Sequence, residues 1–261
     1  MFKKKIIYPP EYDSFRASVP LRRVVVDESE PWTLYEAGPK SAVRCPLIFL
    51  PPVSGSAAVF YKQLLFLGSQ GYRVIAVEYP VLWSIEAFCE SFRRLLLQLS
   101  IPKIHLFGAS LGGFLAQKYA EYTYGTLSVL SLILCNSFVS TAIFDRNEAS
   151  YFYWACPSLL LKRMILGGYP KQCSDPDIVE SVDFMVESVY DECALTPEAR
   201  DLMHSAYPGA KKASLKTGGN FPYLSRSAEV NMHIRIHLQG FEGTEHSARE
   251  AGCSEPPETT A

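Results

Sequence analysis

The apolar and polar positions of this chain change period several times, and each change marks an element. "SVPLRRVVVDES" and "WTLYEAG" read as two antiparallel strands, and "PLIFLPPV" follows as a continuous apolar run suited to a strand covered on both faces. "GSAAVFYKQLLFLGSQG" then carries Val59, Phe60, Leu64, Leu65 and Leu67 at helical spacing and stops at Gly71, a C-cap candidate. Next, "YRVIAVEYP" predicts a strand, "IEAFCESFRRLLLQLS" an amphipathic helix, "KIHLFGAS" a strand, "LGGFLAQKYAEYTYG" a helix and "LSLILCNSF" another strand. Apolar strands alternating with amphipathic helices define the α/β class, with a mainly parallel sheet whose right-handed crossovers place helices on both faces.

From about residue 139 to 200 the alternation fails. "YFYWACPSLLLKRMILGGYP" is helical, aromatic and apolar without a partner strand, and both a cap over a pocket and ordinary packed helices fit it. Strand-like "AKKASLK" (210–216) and amphipathic "PYLSRSAEVNMHIRIHLQGF" (222–241) restore the rhythm. Beyond Gly243 the residues turn to Glu, Ser, Pro and Thr with little to bury. The expectation is one domain over 1–243 and a disordered tail over 244–261.

Composition narrows the function classes. At 261 residues and 48% hydrophobic, the chain is long enough for one large core. Its 25 basic and 27 acidic side chains nearly balance, so no global field gathers nucleic acid. The start "MFKKKII" is interrupted by Tyr8, Pro9, Pro10 and Glu11 before a signal peptide's apolar region forms, and no run approaches the ~18 apolar residues of a membrane span. A soluble cytosolic protein is expected. Its seven cysteines include no C-x-x-C pair and no Cys/His cluster at zinc spacing, so reduced thiols, no metal and no cofactor are expected, with Cys45 and Cys135 packed in strands.

The chemistry concentrates in "LFGASLGGFLAQ" (106–117). Gly108-Ala109-Ser110-Leu111-Gly112 fits G-x-S-x-G, with a buried strand before it and a helix after it, the setting of a hydrolase's nucleophile elbow. Small residues let strand and helix approach through a tight turn that lifts the Ser110 hydroxyl above the sheet edge. The same glycines serve the turn whether or not the serine reacts.

"SVPLRRVVVDES", "CPLIFLPPVSG", "GYRVIAVEYP", "HLFGASLGGFLAQK", "LSLILCNSF" and "LKTGGNFPYLSRSAEVN" together resemble the maspardin family of the α/β-hydrolase superfamily, over residues 8 to 188 and 190 to 244. The resemblance implies an α/β-hydrolase fold and the chain order Ser, acid, His. Ser110 takes the nucleophile position, Asp191 in "SVYDECAL" is the candidate for the acid slot, and Asn220 of "GGNFP" stands in the histidine slot. An amide cannot accept and return a proton near neutral pH, and loss of a triad member lowers turnover by on the order of 10⁴ to 10⁶, about 5 to 8 kcal/mol of barrier. No catalytic residue is therefore expected to act. The resemblance also implies that several tens of residues, including the body of a late core strand, are missing near Ser188 and Val189.

Other groups have competing readings. Val53 and Leu111 can offer two backbone donors of an oxyanion notch, although Pro51 and Pro52 in "LPPVSG" have no N–H, and a rigid turn reads equally well. His105 sits inside a strand and reads as a packed residue. His233 and His237 lie four apart on the last helix, where a solvated face outweighs a metal pair; His204 and His246 fall on a short helix and in the tail. By resemblance, the expected function is a noncatalytic adaptor at endosomal and trans-Golgi membranes. Its expected partners are a T-cell co-receptor's cytoplasmic tail and an aldehyde-dehydrogenase-like protein. An interface would use the aromatic stretch around Tyr151, Phe152, Tyr153 and Trp154, for which a buried cap is the competing and more ordinary reading. A weak serine esterase or thioesterase using Ser110 is the rival.

Overall fold

The computed structural model describes residues 9–26, 31–40, 43–53, 55–126, 128–141, 197–215 and 218–252. Asp191 and the aromatic run 151–154 lie outside them, as does most of the 139–200 region. The described strands are β1 (Arg22–Val24), β2 (Trp32–Ala37), β3 (Leu47–Leu50), β4 (Val74–Glu78), β5 (Ile104–Ala109) and β6 (Val129–Cys135). They form one sheet in the order β1-β2-β4-β3-β5-β6. β1 and β2 pair antiparallel with their neighbours, whereas β3, β4, β5 and β6 run parallel.

Each parallel strand reads as an apolar run because both of its faces are covered. In β3, Leu47 and Phe49 enter one cluster with Phe60, Leu64, Leu67 and Phe107, while Ile48 and Leu50 enter the other with Phe92, Leu95 and Leu106. Burying each such side chain contributes about 1.5–3 kcal/mol. The first cluster lies under α1 (Pro10–Ser18), α2 (Tyr61–Ser69), α6 (Pro222–Ser225) and α7 (Ser227–Gln239), and the second under α3 (Ile85–Gln98) and α4 (Leu111–Tyr122). Starts and stops follow ordinary chemistry. Ser84 caps α3 by accepting the Ala87 N–H at 3.1 Å. Left-handed Gly71 closes α2, with the Tyr72 N–H reaching back to the Leu67 carbonyl at 3.1 Å.

Four expectations change. Residues 210–215 are irregular and mostly exposed, not a strand, because no described strand stands beside them to complete a ladder. Cys45 is buried, but in the turn before β3 and not within a strand. His237 turns inward from its helix: burial pushes its pKa down, and its ring lies 5.9 Å from that of Phe241. The expected disorder does not hold over residues 244–252. Arg73 N–H donates to the Ala248 carbonyl at 2.9 Å, Glu250 N–H to Gly71 at 2.9 Å, and Ala248 is buried. Backbone pairing holds this segment, with little need of apolar side chains. Residues 253–261 lie outside the described part.

Candidate functional site

β5 ends at Ala109 and α4 begins at Leu111, so Ser110 alone makes the turn, at φ 50° and ψ −115°. A non-glycine residue at positive φ is strained by about 1–2 kcal/mol and persists only where its surroundings impose it. Close packing imposes it here. A Cβ on Gly112 would stand 2.2 Å from the Leu50 carbonyl oxygen, and one on Gly108 2.4 Å from the Gly113 Cα. Strand and helix therefore touch main chain to main chain.

The turn is fastened to β6. Ser110 N–H donates to the Cys135 carbonyl at 3.0 Å, and the Ser137 hydroxyl donates to the Ser110 carbonyl at 3.2 Å. Asn136, itself at φ 44°, gives its side-chain amide to the Gly219 carbonyl at 2.9 Å. The loop carrying Asn220 is thus tied to the residue that follows Ser110's own backbone partner. Ser110 and the 218–220 loop share the C-terminal end of the sheet. Behind them, buried Gln117 donates to the carbonyls of Gly113 and Phe138, each at 3.0 Å, and accepts the Tyr207 hydroxyl at 2.9 Å. Asn136, Ser137 and Gln117 were not singled out in the sequence; a lone glutamine on the apolar side of "LGGFLAQKYA" was the available signal.

Val53 lies in the exposed turn after β3, and Leu111 opens α4. Gly112 abuts the carbonyls of Leu50 and Pro51, so the β3 turn and the elbow are neighbours. None of the five histidines hydrogen-bonds the Ser110 hydroxyl. His105, five residues back along β5, is roughly 16 Å away at strand rise. Its ring is fully engaged: Nε2–H donates to the His246 carbonyl at 2.8 Å, and Nδ1 accepts from the Ser131 hydroxyl at 2.7 Å. A carbonyl can only accept, which places the proton on Nε2. Burial holds the His105 pKa below its ordinary value, with nearby His237 and His246 adding to the same direction against the His246 hydrogen bond. His204 is exposed on α5 (Pro197–Ala206), and His233 is half-buried on α7.

A recess of about 460 Å³ opens between α3 and α4, lined by Ile85, Glu86, Cys89, Lys118, Glu121 and Tyr122. It sits two turns or more along α4 from Ser110, and burial raises the Cys89 thiol to about 11, so it offers no nucleophile. Among the described residues no group of three or more His, Cys, Asp or Glu is placed to hold a metal, and no helix is long and apolar enough to cross a membrane.

A mixed, mainly parallel sheet flanked by helices, with a strained serine between a strand and a helix, defines an α/β-hydrolase-fold protein. Residues 46–172 match the family described as alpha/beta hydrolase fold. A carboxylesterase, CesB of Bacillus subtilis, superposes with a TM-score of 0.60 at 19% identity over 88% of this chain and 96% of its own. Within that class the chain belongs to the maspardin family. It is 47% identical to maspardin of Danio rerio over 283 residues, covering 94% of this chain and 91% of the relative. With maspardin of Rattus norvegicus it is 44% identical over 241 residues, covering 92% and 88%.

The two alignments differ in length while using nearly the same share of this chain. The Danio relative therefore carries several tens of residues more inside the aligned region, whereas the Rattus relative aligns almost without interruption.

Proposed function

We propose that this chain is a noncatalytic α/β-hydrolase-fold adaptor that works by binding proteins. The reading is supported by a nucleophile elbow whose serine hydroxyl has no imidazole partner among the described residues, and by the family resemblance, which puts Asn220 in the histidine slot. Without a base the hydroxyl stays protonated and a poor nucleophile. By its likeness to the maspardin family, the chain binds a T-cell co-receptor's cytoplasmic tail, dampens that receptor's signalling, and associates with an aldehyde-dehydrogenase-like protein at endosomal and trans-Golgi membranes. Labelling of the purified chain with a fluorophosphonate, with Ser110→Ala as control, tests the first half of this reading. No Ser110-dependent labelling is expected, and rapid labelling overturns it.

One observation favours a second reading, a slow serine esterase or thioesterase. The elbow keeps its strain at Ser110, and strain of this kind gathers at functional sites. The same labelling experiment separates the two.

A further inference from the structure

The buried carboxylate of Glu36 gathers more positive charge than it can neutralise. Its side chain, on β2, is 3% exposed. Arg73, which immediately precedes β4, places Nε 3.0 Å and Nη2 2.9 Å from Oε1 and gives Nη1 to the Val43 carbonyl at 2.8 Å. That one guanidinium, itself largely buried, meets the need of a buried carboxylate for a charged partner. Two further cations converge on the other oxygen: Arg22 donates from Nη1 to Oε2 at 2.8 Å, and Lys40 Nζ stands 3.3 Å from the same atom. Among the described residues no second carboxylate pairs with any of the three.

The backbone positions both surplus cations. Arg22 lies opposite Leu34 in the β1–β2 ladder, so Arg22, Leu34 and Glu36 share one face of the sheet. The chain then turns at Gly38, at φ 88°, where a Cβ would stand 1.9 Å from the Tyr72 carbonyl oxygen, and Lys40 follows two residues on. Sharing one oxygen holds Arg22 Nη1 and Lys40 Nζ within about 6 Å of each other, and with a charge-assisted hydrogen bond of about 2.8 Å to each, one tetrahedral anion spans that gap. Both side chains remain open to water, 42% exposed for Arg22 and 54% for Lys40. Arg22 keeps Nε and Nη2 for a further acceptor, and the Lys40 ammonium has donors to spare.

We propose that Arg22 and Lys40, seated on the Glu36–Arg73 pair, form a binding site for a phosphate monoester. Three cations against one carboxylate leave two positive charges, which match the charge of about −1.5 to −2 that such a group carries near neutral pH. An anion between the two heads replaces their mutual repulsion with attraction to a shared partner. Glu36 holds the two side chains next to each other before the ligand arrives, which lowers the ordering cost of binding. The site lies at the start of β4, the opposite end of the sheet from Ser110, so its occupancy does not depend on whether that serine reacts.

Calorimetric titration of the full chain with inorganic phosphate at constant ionic strength measures the affinity, and saturable binding at one site is expected. Arg22→Gln and Lys40→Gln should each weaken it about tenfold or more, the worth of one charge-assisted hydrogen bond. Lys40 is half-exposed and its replacement leaves the Glu36–Arg73 pair intact, so this variant stays folded, which circular dichroism checks. Arg23→Gln removes the same charge from the next residue, on the other face of β1, and should leave the affinity unchanged. Vesicles of phosphatidylcholine with phosphatidic acid, itself a phosphate monoester, set against vesicles of matched charge made with phosphatidylserine, distinguish the source of the group. Lys40-dependent sedimentation with the phosphatidic acid vesicles alone assigns the site to a lipid headgroup, and binding of inorganic phosphate without it assigns a soluble ester. No binding of either probe, equal affinity in folded Lys40→Gln, or equal weakening by Arg23→Gln would each overturn the proposal.

Discussion

The buried ring of His105 donates to the main-chain carbonyl of His246, so a strand residue at the start of β5 anchors a segment that lies 141 positions further along the chain. The anchor works with the neutral ring. Burial lowers the His105 pKa in the folded state, while the unfolded chain titrates near the ordinary 6.5. Above that value neither state binds the extra proton; below it the unfolded chain binds one first. Stability is therefore lost as pH falls from about 6.5 toward the depressed folded value. The groups facing the ring are Ser131, His237, His246 and Phe241. Melting temperatures taken from about pH 7 to about pH 5 should fall for the natural chain. They should fall less steeply for His105→Gln, which keeps a donor and an acceptor and cannot titrate. His237, also held down by burial and by Lys211, keeps part of the slope. Equal slopes in the two proteins would refute the assignment.

The C-terminal segment makes a second, larger prediction. Ending the chain after Gly243 removes the partners of Arg73 N–H, Gly71 C=O and His105 Nε2–H. It also removes the Arg249 guanidinium, which donates to the Gln70 carbonyl at 2.9 Å and stacks over Tyr72 at 5.4 Å. At about 1 kcal/mol per hydrogen bond, plus the cost of buried groups left unpaired, a loss of about 3 kcal/mol or more is expected. Urea denaturation reads it as a lower midpoint. An unchanged midpoint would mean that the segment contributes nothing to the fold.

Packing at the elbow predicts a contrast between two glycines. Gly112→Ala drives a methyl into the Leu50 carbonyl, and overpacking of this kind costs about 1–3 kcal/mol, more where only backbone can yield. Gly125, at φ +90° with nothing within 4 Å of where an alanine methyl would sit, bears only the conformational penalty of about 1 kcal/mol. Denaturant midpoints should rank Gly125→Ala above Gly112→Ala. The reverse order would show that the elbow can relax.

If the 218–220 loop occupies the slot of the missing base, Asn220→His supplies the group the serine lacks. General-base assistance is worth on the order of 10²-fold or more, so Ser110-dependent fluorophosphonate labelling should rise by about that factor and vanish in the double variant with Ser110→Ala. No rise in a folded Asn220→His protein would show that this loop does not deliver the base to Ser110.

The parallel core was legible because β3, β4, β5 and β6 are apolar runs between amphipathic helices, a pattern imposed by covering both faces of a sheet. The G-x-S-x-G turn was legible because its glycines answer to backbone contacts that any sequence making this turn has to satisfy. Helix α1 was not, since its nine residues bury Phe15 alone and so carry almost no periodic signal. The C-terminal segment was hidden for a related reason: its stability rests on peptide groups, which every residue has, and not on side chains that composition can register. Residues 210–215 failed in the opposite way, with strand-like residues but no described neighbour to pair with. At the candidate site the sequence supplied Ser110 and Asn220 but not Asn136, whose single bond to Gly219 joins their two loops across 83 positions.

Arg73, at the mouth of β4, waits for Ala248 to complete its hydrogen bonding. All six described strands are synthesised within the first 135 residues, yet the lower rim of their sheet is sealed by a stretch made near the end. Closing that rim is therefore a contact of long sequence separation, and its loop-closure entropy has to be met before Arg73 gains its partner.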